Sequence, residues 1–279
     1  MEGRSQKTGF KRRLYHLLLW AISIGFFSPI IWMIICSLKT REQILTLPPE
    51  WLFVPTLNDY IGLFHMFNFT KELMNSIFMS LSAVIIAVVV SFLAAYSFSR
   101  FKPKGTDLIM FLLLSMRMVP AAAVVVPIYL LYSAAGWKGT YSGMILFYAM
   151  FSIPFSVWIL KGFIDGVSQR FDETALVSGG SRMHIIFRMV MPQVKPGLIA
   201  AFIFNIIFVW NEFTFASIVT TRYAKTLPPR ITAALGPEGL DWGMVGAAGF
   251  LLIIPVVVLF VLVRNYLLMG MTFGVLGRK

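Results

Sequence analysis

One cysteine, Cys36, and three histidines, His16, His65 and His184, are the whole stock of thiol and imidazole in this chain. A lone cysteine excludes an internal disulfide framework and any metal site built from cysteines. The histidines stand far apart at no ligand spacing, so no metal site is expected. Charge is scarce too: Asp, Glu, Lys and Arg make up 13% of the 279 residues, where a soluble domain carries about 25%. Acidic groups are the rarer sign, 12 against 24 basic, and apart from Glu212 near a boundary none falls in a long apolar run. An ion-coupled carrier would need acidic residues within its membrane helices. Enzymatic signatures are also missing. There is no G-x-x-x-x-G-K-[ST] phosphate cradle, no G-x-S-x-G nucleophile turn and no H-E-x-x-H zinc pair. The nearest fragment, Gly136-Trp137-Lys138-Gly139-Thr140, lacks the spacing.

What the chain has in abundance is apolar sequence, 58% of its residues, with a mean hydropathy of +0.80. The fold class is therefore all-α, a polytopic membrane protein. Residues 1–13 are polar and basic. The run 14–36 is long enough to cross about 30 Å of hydrocarbon. Pro29 and Trp32 near its end, and no small-residue cleavage site, mark it as an uncleaved span. Further spans are expected near 75–98, 108–132, 142–160, 197–219 and 245–269, giving a six-helix membrane domain over 14–269 and a tail over 270–279. The second is rich in Ser and Ala, which lets helices approach closely. The third is interrupted by Arg117, Pro120 and Pro127. Pro120, Pro127, Pro154 and Pro255 are expected kinks, and Trp20, Trp158 and Trp242 mark membrane interfaces. With six spans, sixteen Lys and Arg lie on the side of the termini and seven on the other, with Arg117 within the membrane. The positive-inside rule puts both termini in the cytoplasm. The net charge of +12 is then a topology signal, and no nucleic-acid partner is implied. No inverted repeat of the kind found in many secondary transporters is visible.

The polar break over 161–195 organises the rest. Phe171 and Ala175 share a helix face at i, i+4 spacing. Gly179-Gly180 supplies a turn where positive φ costs little. Ser181 is a suitable N-cap for a second helix whose apolar stripe is Met183, Ile186, Phe187 and Val190, at i, i+3, i+4, i+7. Pro192 is expected to stop that helix. Such a pair could simply lie in the headgroup layer. Residue order weighs against this. Glu173 and Ala175, Gly179 six residues after Glu173, and Pro192 nineteen after it resemble the E-A-A-x-x-x-G…I-x-L-P loop of binding-protein-dependent ABC importer permeases. Thr174 replaces the second Ala, and Met189 and Met191 replace Ile and Leu. Pro55-Thr56-Leu57-Asn58-Asp59-Tyr60, the run from Ala94 to Phe101, Met116-Arg117-Met118-Val119-Pro120 and Trp210-Asn211-Glu212-Phe213 resemble further elements of the same family, in its maltose-type second-permease branch.

The resemblance implies a permease subunit in a bacterial inner membrane. Its implied partners are a second six-span permease, two ATP-binding subunits, an extracytoplasmic solute-binding protein, membrane lipid and a sugar-like solute. No cofactor is implied in this chain, and it is not expected to be an enzyme; ATP and Mg would be bound by the partner ATPase. Glu173, Ala175, Gly179, Gly180, Met183, Ile186, Phe187 and Pro192 would couple that ATPase to the membrane helices, with Met183, Ile186 and Phe187 as apolar anchors in its groove. Residues 270–279 resemble the short tail of maltose-type permeases at Gly270 and Gly274, while Leu276-Gly277 departs from it. Arg117 within the membrane faces a solute, water or a partner, or pairs with an acid or carbonyl on a neighbouring helix. Asn211 and Glu212 line an external vestibule or, by the favoured reading, end a helix and satisfy its carbonyls. Two other classes fit the sequence less well, an ion-coupled secondary transporter and an intramembrane enzyme or scaffold. The first lacks intramembrane acids and the second an acid–base set.

Overall fold

The computed structural model describes residues 3–66, 69–221, 223–230, 235, 236 and 239–276. Among the described residues four helices are long and apolar enough to cross a membrane, and two bent helix pairs raise the number to six if each pair is one span. The regular structure of the described residues is helical apart from a two-residue antiparallel pair, β1 Leu235–Gly236 and β2 Gly239–Leu240.

The chain divides into two compact units, 1–68 with 231–253, and 69–230 with 254–279. In the first, α1 spans Gly3–Cys36. None of its most apolar eighteen residues is buried. α2 (Arg41–Leu45) opens on a capping box in which Thr40 and Gln43 satisfy each other's backbone N–H. α3 is Asn58–Met66, and Tyr60 hydrogen-bonds to Ser37 at 2.7 Å. α13 begins at Trp242 and runs to Leu276. Its Gly246 lies where a Cβ would come within 2.6 Å of the Met33 carbonyl, so only glycine permits that approach. The expected tail is thus helical through Leu276, and 277–279 lie outside the described residues.

The second unit is built around α4 (Phe69–Arg100). Ser76, Ser80, Ala83, Ala87, Ser91, Ala95 and Ser99 recur every three or four residues and are all buried, so the Ser and Ala content expected to let helices approach closely is gathered on one face. α7 (Tyr141–Asp165) packs on α4; the Ser91 hydroxyl donates to the Ile153 carbonyl at 3.2 Å. α11 (Lys195–Trp210) crosses α7 closely at Gly197, whose Cβ would strike the Phe163 ring at 2.5 Å. Its buried Asn205 donates to Ser156 at 2.7 Å.

Two expected spans are not single rods. The third becomes α5 (Thr106–Met116) and α6 (Ala121–Ala134), bent by 92° at residues 117–120. Pro120 has no N–H to continue α5 and holds the extended backbone that starts α6. Pro127, Pro154 and Pro255 instead lie inside continuous helices. The fifth ends at Trp210; residues 211–213 break the chain before α12 (Thr214–Val219).

α4 is tied at its start as well. Glu72 is buried in a bidentate pair with Arg230. Asn75 donates to the carbonyls of Tyr223 and Lys225, and Ser76 accepts from the Leu227 N–H at 2.7 Å. These contacts fix the base of the connector after α12.

In the first unit, burial and the nearby Asp241 carboxylate push Asp59 up to about 6. A carboxyl whose folded value lies above its unfolded one favours folding at low pH, and the benefit fades as pH rises from about 4 through 6. Asp59→Asn is therefore expected to flatten the decline in melting temperature over that window and to stabilise the purified protein at pH 7.5. A decline unchanged by the substitution would contradict this assignment.

Candidate functional site

The break between α7 and α11 folds as two helices and a tight turn. α8 covers Arg170–Val177. The Gly180 N–H donates to the Ala175 carbonyl at 2.8 Å and the Gly179 N–H to Leu176 at 3.0 Å, with Gly179 at φ +80°. This is the Schellman pattern of helix ending. It gives a physical reason for the register of Ala175 with the glycine pair. Gly179 takes the left-handed turn, while a Cβ on Gly180 would lie 2.8 Å from the Ala175 oxygen.

Ser181 then caps α9 (Arg182–His184) by accepting from the His184 N–H at 3.2 Å. The helix continues through a π-helical segment, Ile185–Val190, and α10, Met191–Gln193. The Met191 N–H reaches back five residues to Ile186. Pro192 does not stop the helix, as the sequence suggested. It follows the wide turn, where its missing N–H is accommodated. The direction changes at Val194, with a bend of 76° into α11.

Burial divides the expected site residues. Glu173 is exposed and Met183 is 62% exposed, whereas Ala175 is buried. Ile186 is only 9% exposed and lies in the chain's own core beside Ile185 and Val190. It is not free to enter a partner's groove. Phe187 is 39% exposed, with its ring tilted against Phe92 at 6.5 Å. The buried face of α8 pairs Ala175 with Asp172, while Phe171 is exposed. The wide π turn re-aims the stripe that α-helical spacing would have kept on one side.

Asp172 is the residue that sequence reasoning missed. Its Oδ2 accepts from Arg100 Nε at 2.8 Å and from the Tyr96 hydroxyl at 3.0 Å. The Arg100 fork also donates to the carbonyls of Val167 at 2.9 Å and Ile164 at 3.3 Å. One guanidinium thus joins the last turn of α4, the end of α7 and the start of α8. Ser99 adds a bond to Asp165 at 2.6 Å, and Lys161 holds the same carboxylate. The only hint in the sequence was a lone arginine closing an apolar run.

The second group of expected residues gathers elsewhere in the unit. Arg117 ends α5, and its guanidinium lies over the rings of Phe208, Phe155 and Phe151 at 4.5, 4.9 and 5.5 Å. Among the described residues its side-chain contacts are these rings and no carboxylate. Phe151 and Phe208 stack at 5.2 Å and also line a pocket of about 440 Å³ with Ala121, Tyr148, Asn211 and Glu212. Asn211 donates to the Ile207 carbonyl at 2.7 Å, as expected of a residue that ends α11. Glu212 acts in the opposite sense. Its carboxylate accepts from the backbone N–H of Phe215 and Ala216, at 2.8 and 2.9 Å, and so caps α12.

Removing one member of a buried ion pair costs about 3–5 kcal/mol. Arg100→Ala is therefore expected to lower the melting temperature and to speed hydrogen exchange over residues 168–180, leaving α11 protected. Asp172→Asn keeps an oxygen for Tyr96 and is expected to cost less. Unchanged exchange over 168–180 in Arg100→Ala would show that the pair does not hold the loop.

Residues 87–269 match the family described as binding-protein-dependent transport system inner membrane component. The chain is 31% identical over 264 residues to a probable ABC transporter permease protein, y4oR, of Sinorhizobium fredii, covering 94% of this chain and 95% of the relative. It is also 31% identical to the trehalose/maltose transport system permease protein MalG of Thermococcus litoralis, covering 89% and 90%. Its fold is that of a chain in the crystal structure of a bacterial ABC transporter involved in import of the acidic polysaccharide alginate, with TM-score 0.78 at 18% identity over 94% of this chain and 98% of that one. This chain belongs to the family of binding-protein-dependent transport system inner membrane components.

Proposed function

We propose that this chain is a permease subunit of an ATP-driven importer for a sugar or sugar derivative, crossing the inner membrane six times with both termini cytoplasmic. The observation that carries the reading is the loop of α8, the glycine turn and α9, pinned to α4 and α7 by Arg100 and presenting Glu173, Val177 and Met183 outward. Sugar transport is supported by relatives named for trehalose, maltose and diacetylchitobiose uptake. A solved neighbour was crystallised with a periplasmic protein bound to an alginate pentasaccharide, which supports a solute-binding protein as partner. The apolar α1, none of whose most apolar eighteen residues is buried, supports a second permease or lipid as its neighbour. The ion-coupled alternative is not favoured by these likenesses.

In this reading ATP and its Mg²⁺ bind separate subunits, whose groove receives the exposed face of the loop. Met183 is the apolar anchor and Glu173 a rim charge that sets register more than affinity. Closure of the two ATPase subunits displaces the loop, and the Arg100 clamp carries that displacement into α4 and α7. The aromatic pocket beside Arg117 lies on the solute path. Its rings offer flat apolar faces, and Arg117, which has no acidic partner among the described residues, offers hydrogen-bond donors.

Affinity purification from the native membrane tests the assembly. A P-loop ATPase and a second six-span protein are expected to co-purify, and Met183→Asp is expected to lose the ATPase while retaining the second permease. Met183 is the apt position, because a charge at Phe187 would also disturb Phe92. Recovery of the chain alone would sink the importer reading. For the path, Arg117→Ala is expected to raise the solute concentration giving half-maximal uptake by on the order of fivefold or more, the loss of one good polar contact. Unchanged uptake would make Arg117 a structural stacking partner.

A further inference from the structure

The end of α4 meets both halves of the loop through adjacent residues. Arg100 grips α8 at Asp172, and the ring of Phe101, next in the chain, carries the Arg182 guanidinium of α9 at 4.9 Å. Tyr96 joins the two contacts. Its buried ring meets Phe101 edge-on at 6.1 Å, and its hydroxyl donates to Asp172. A chain of touching groups therefore runs from Arg100 through Asp172, Tyr96 and Phe101 to Arg182. Its two ends differ in strength. The ion pair is buried, whereas Arg182 is exposed and Phe101 is 52% exposed. A cation over an aromatic ring at such a site shifts an equilibrium by about two- to fivefold. Among the described residues the Arg182 guanidinium has no carboxylate partner and no hydrogen bond, so Phe101 is the group that places it.

The turn before α9 gives that helix little hold of its own. A Cβ on Gly179 would meet nothing within 4 Å, so the turn stands open, and Arg182, Met183 and His184 are all exposed. Burial resumes further on, at Ile185, Ile186 and Val190. On the other side of the contact, the Phe101 N–H continues the ladder of α4 by donating to the Ser97 carbonyl at 2.9 Å. Four residues then separate it from α5, which begins at Thr106 after a turn closed by the Thr106 N–H on the Pro103 carbonyl at 3.1 Å. Arg117 caps the far end of α5. We propose that Arg182 is a positioning residue that holds α9 on the connector between α4 and α5, so that a push received at Met183 is carried into α5 and on to the aromatic pocket beside Arg117. This role rests on the importer reading, in which Met183 meets the ATPase. A direct contact between Arg182 and the ATPase is the competing role, and it makes no use of Phe101.

The test uses the whole complex purified from its native membrane, with Cys36→Ser and spin labels introduced through His184→Cys on α9 and Leu112→Cys on α5, both at exposed positions. The 184–112 distance is expected to stay constant between nucleotide-free and ATP-trapped states. With Arg182→Gln or Phe101→Ala it is expected to change between those states. Arg182→Lys and Phe101→Tyr, which keep the cation and the ring, are expected to restore the constant distance. Hydrogen exchange over residues 182–187 is expected to speed by about two- to fivefold in each disruptive variant, and the double variant is expected to match either single one, because both remove the same contact. A distance that stays constant in Arg182→Gln, exchange left unchanged, or effects of the two substitutions that add would each overturn the proposal. A loss confined to Arg182→Gln would also overturn it, as the pattern of a direct ATPase contact. ATP hydrolysis by the same preparation separates the two failures: without hydrolysis the importer reading fails, whereas hydrolysis with an unmoved distance in the variants contradicts the role given to Arg182.

Discussion

The contact on which the rest depends is the Arg100 guanidinium inside the protein, with side chains of 6% and 11% exposure for Arg100 and Asp172. Removing two charges from water is costly, and the cost is met only when their hydrogen-bonding groups find good partners. Arg100 donates from all three of its nitrogens, to one carboxylate oxygen on α8 and to carbonyls at the end of α7, while the other oxygen of Asp172 is buried without a hydrogen-bond partner among the described residues. Those carbonyls lie at the end of α7 and in the turn that follows it, where the Ile164 carbonyl also accepts from the Gly166 and Val167 N–H groups. The same residue thus makes the end of α4, the end of α7 and the start of the loop into one body.

The remaining polar contacts extend that body along α4. Small residues every three or four positions bring α7 close enough for a serine to reach a backbone carbonyl. At the far end, Glu72 with Arg230 and Asn75 with the carbonyls of Tyr223 and Lys225 fasten the connector that follows α12. α4 is therefore a strut held by buried ion pairs at both ends. The bends at 117–120 and at Val194 are where the chain leaves this packing, and the first of them leaves Arg117 among aromatic rings.

Much of this was legible in the sequence, for identifiable reasons. Long apolar runs fixed where helices form, and the Ser and Ala content of the second run marked a helix that packs closely on its neighbours. Gly179 was read from its need for positive φ, and Ser181 from capping chemistry; both hold in the structure. The failures arose where a local rule was overridden. Helical periodicity assumes 3.6 residues per turn, so the π-helical segment made Ile186 a core residue and left Met183 exposed. Pro192 lost its role as a stop for the same reason. Glu212 was assigned to the wrong helix end, because spacing alone does not say whether a carboxylate at a break faces the helix before it or the one after. Asp172 was invisible, since its partner lies in a different span and no periodicity links them.

The central claim is that the loop and the helices beneath it move together. It is tested most directly by measuring distances between spin labels in the assembled complex, with the buried Cys36 replaced by Ser. Labels enter through Val177→Cys on the exposed face of α8 and Trp158→Cys on the exposed side of α7. Between nucleotide-free and ATP-trapped states, the 177–158 distance within the chain is expected to stay constant while the distance from 177 to the second permease's loop shortens. A 177–158 distance that changes as much as the distance between the two loops would contradict the account, because the loop would then flex independently of the membrane helices it is held to drive.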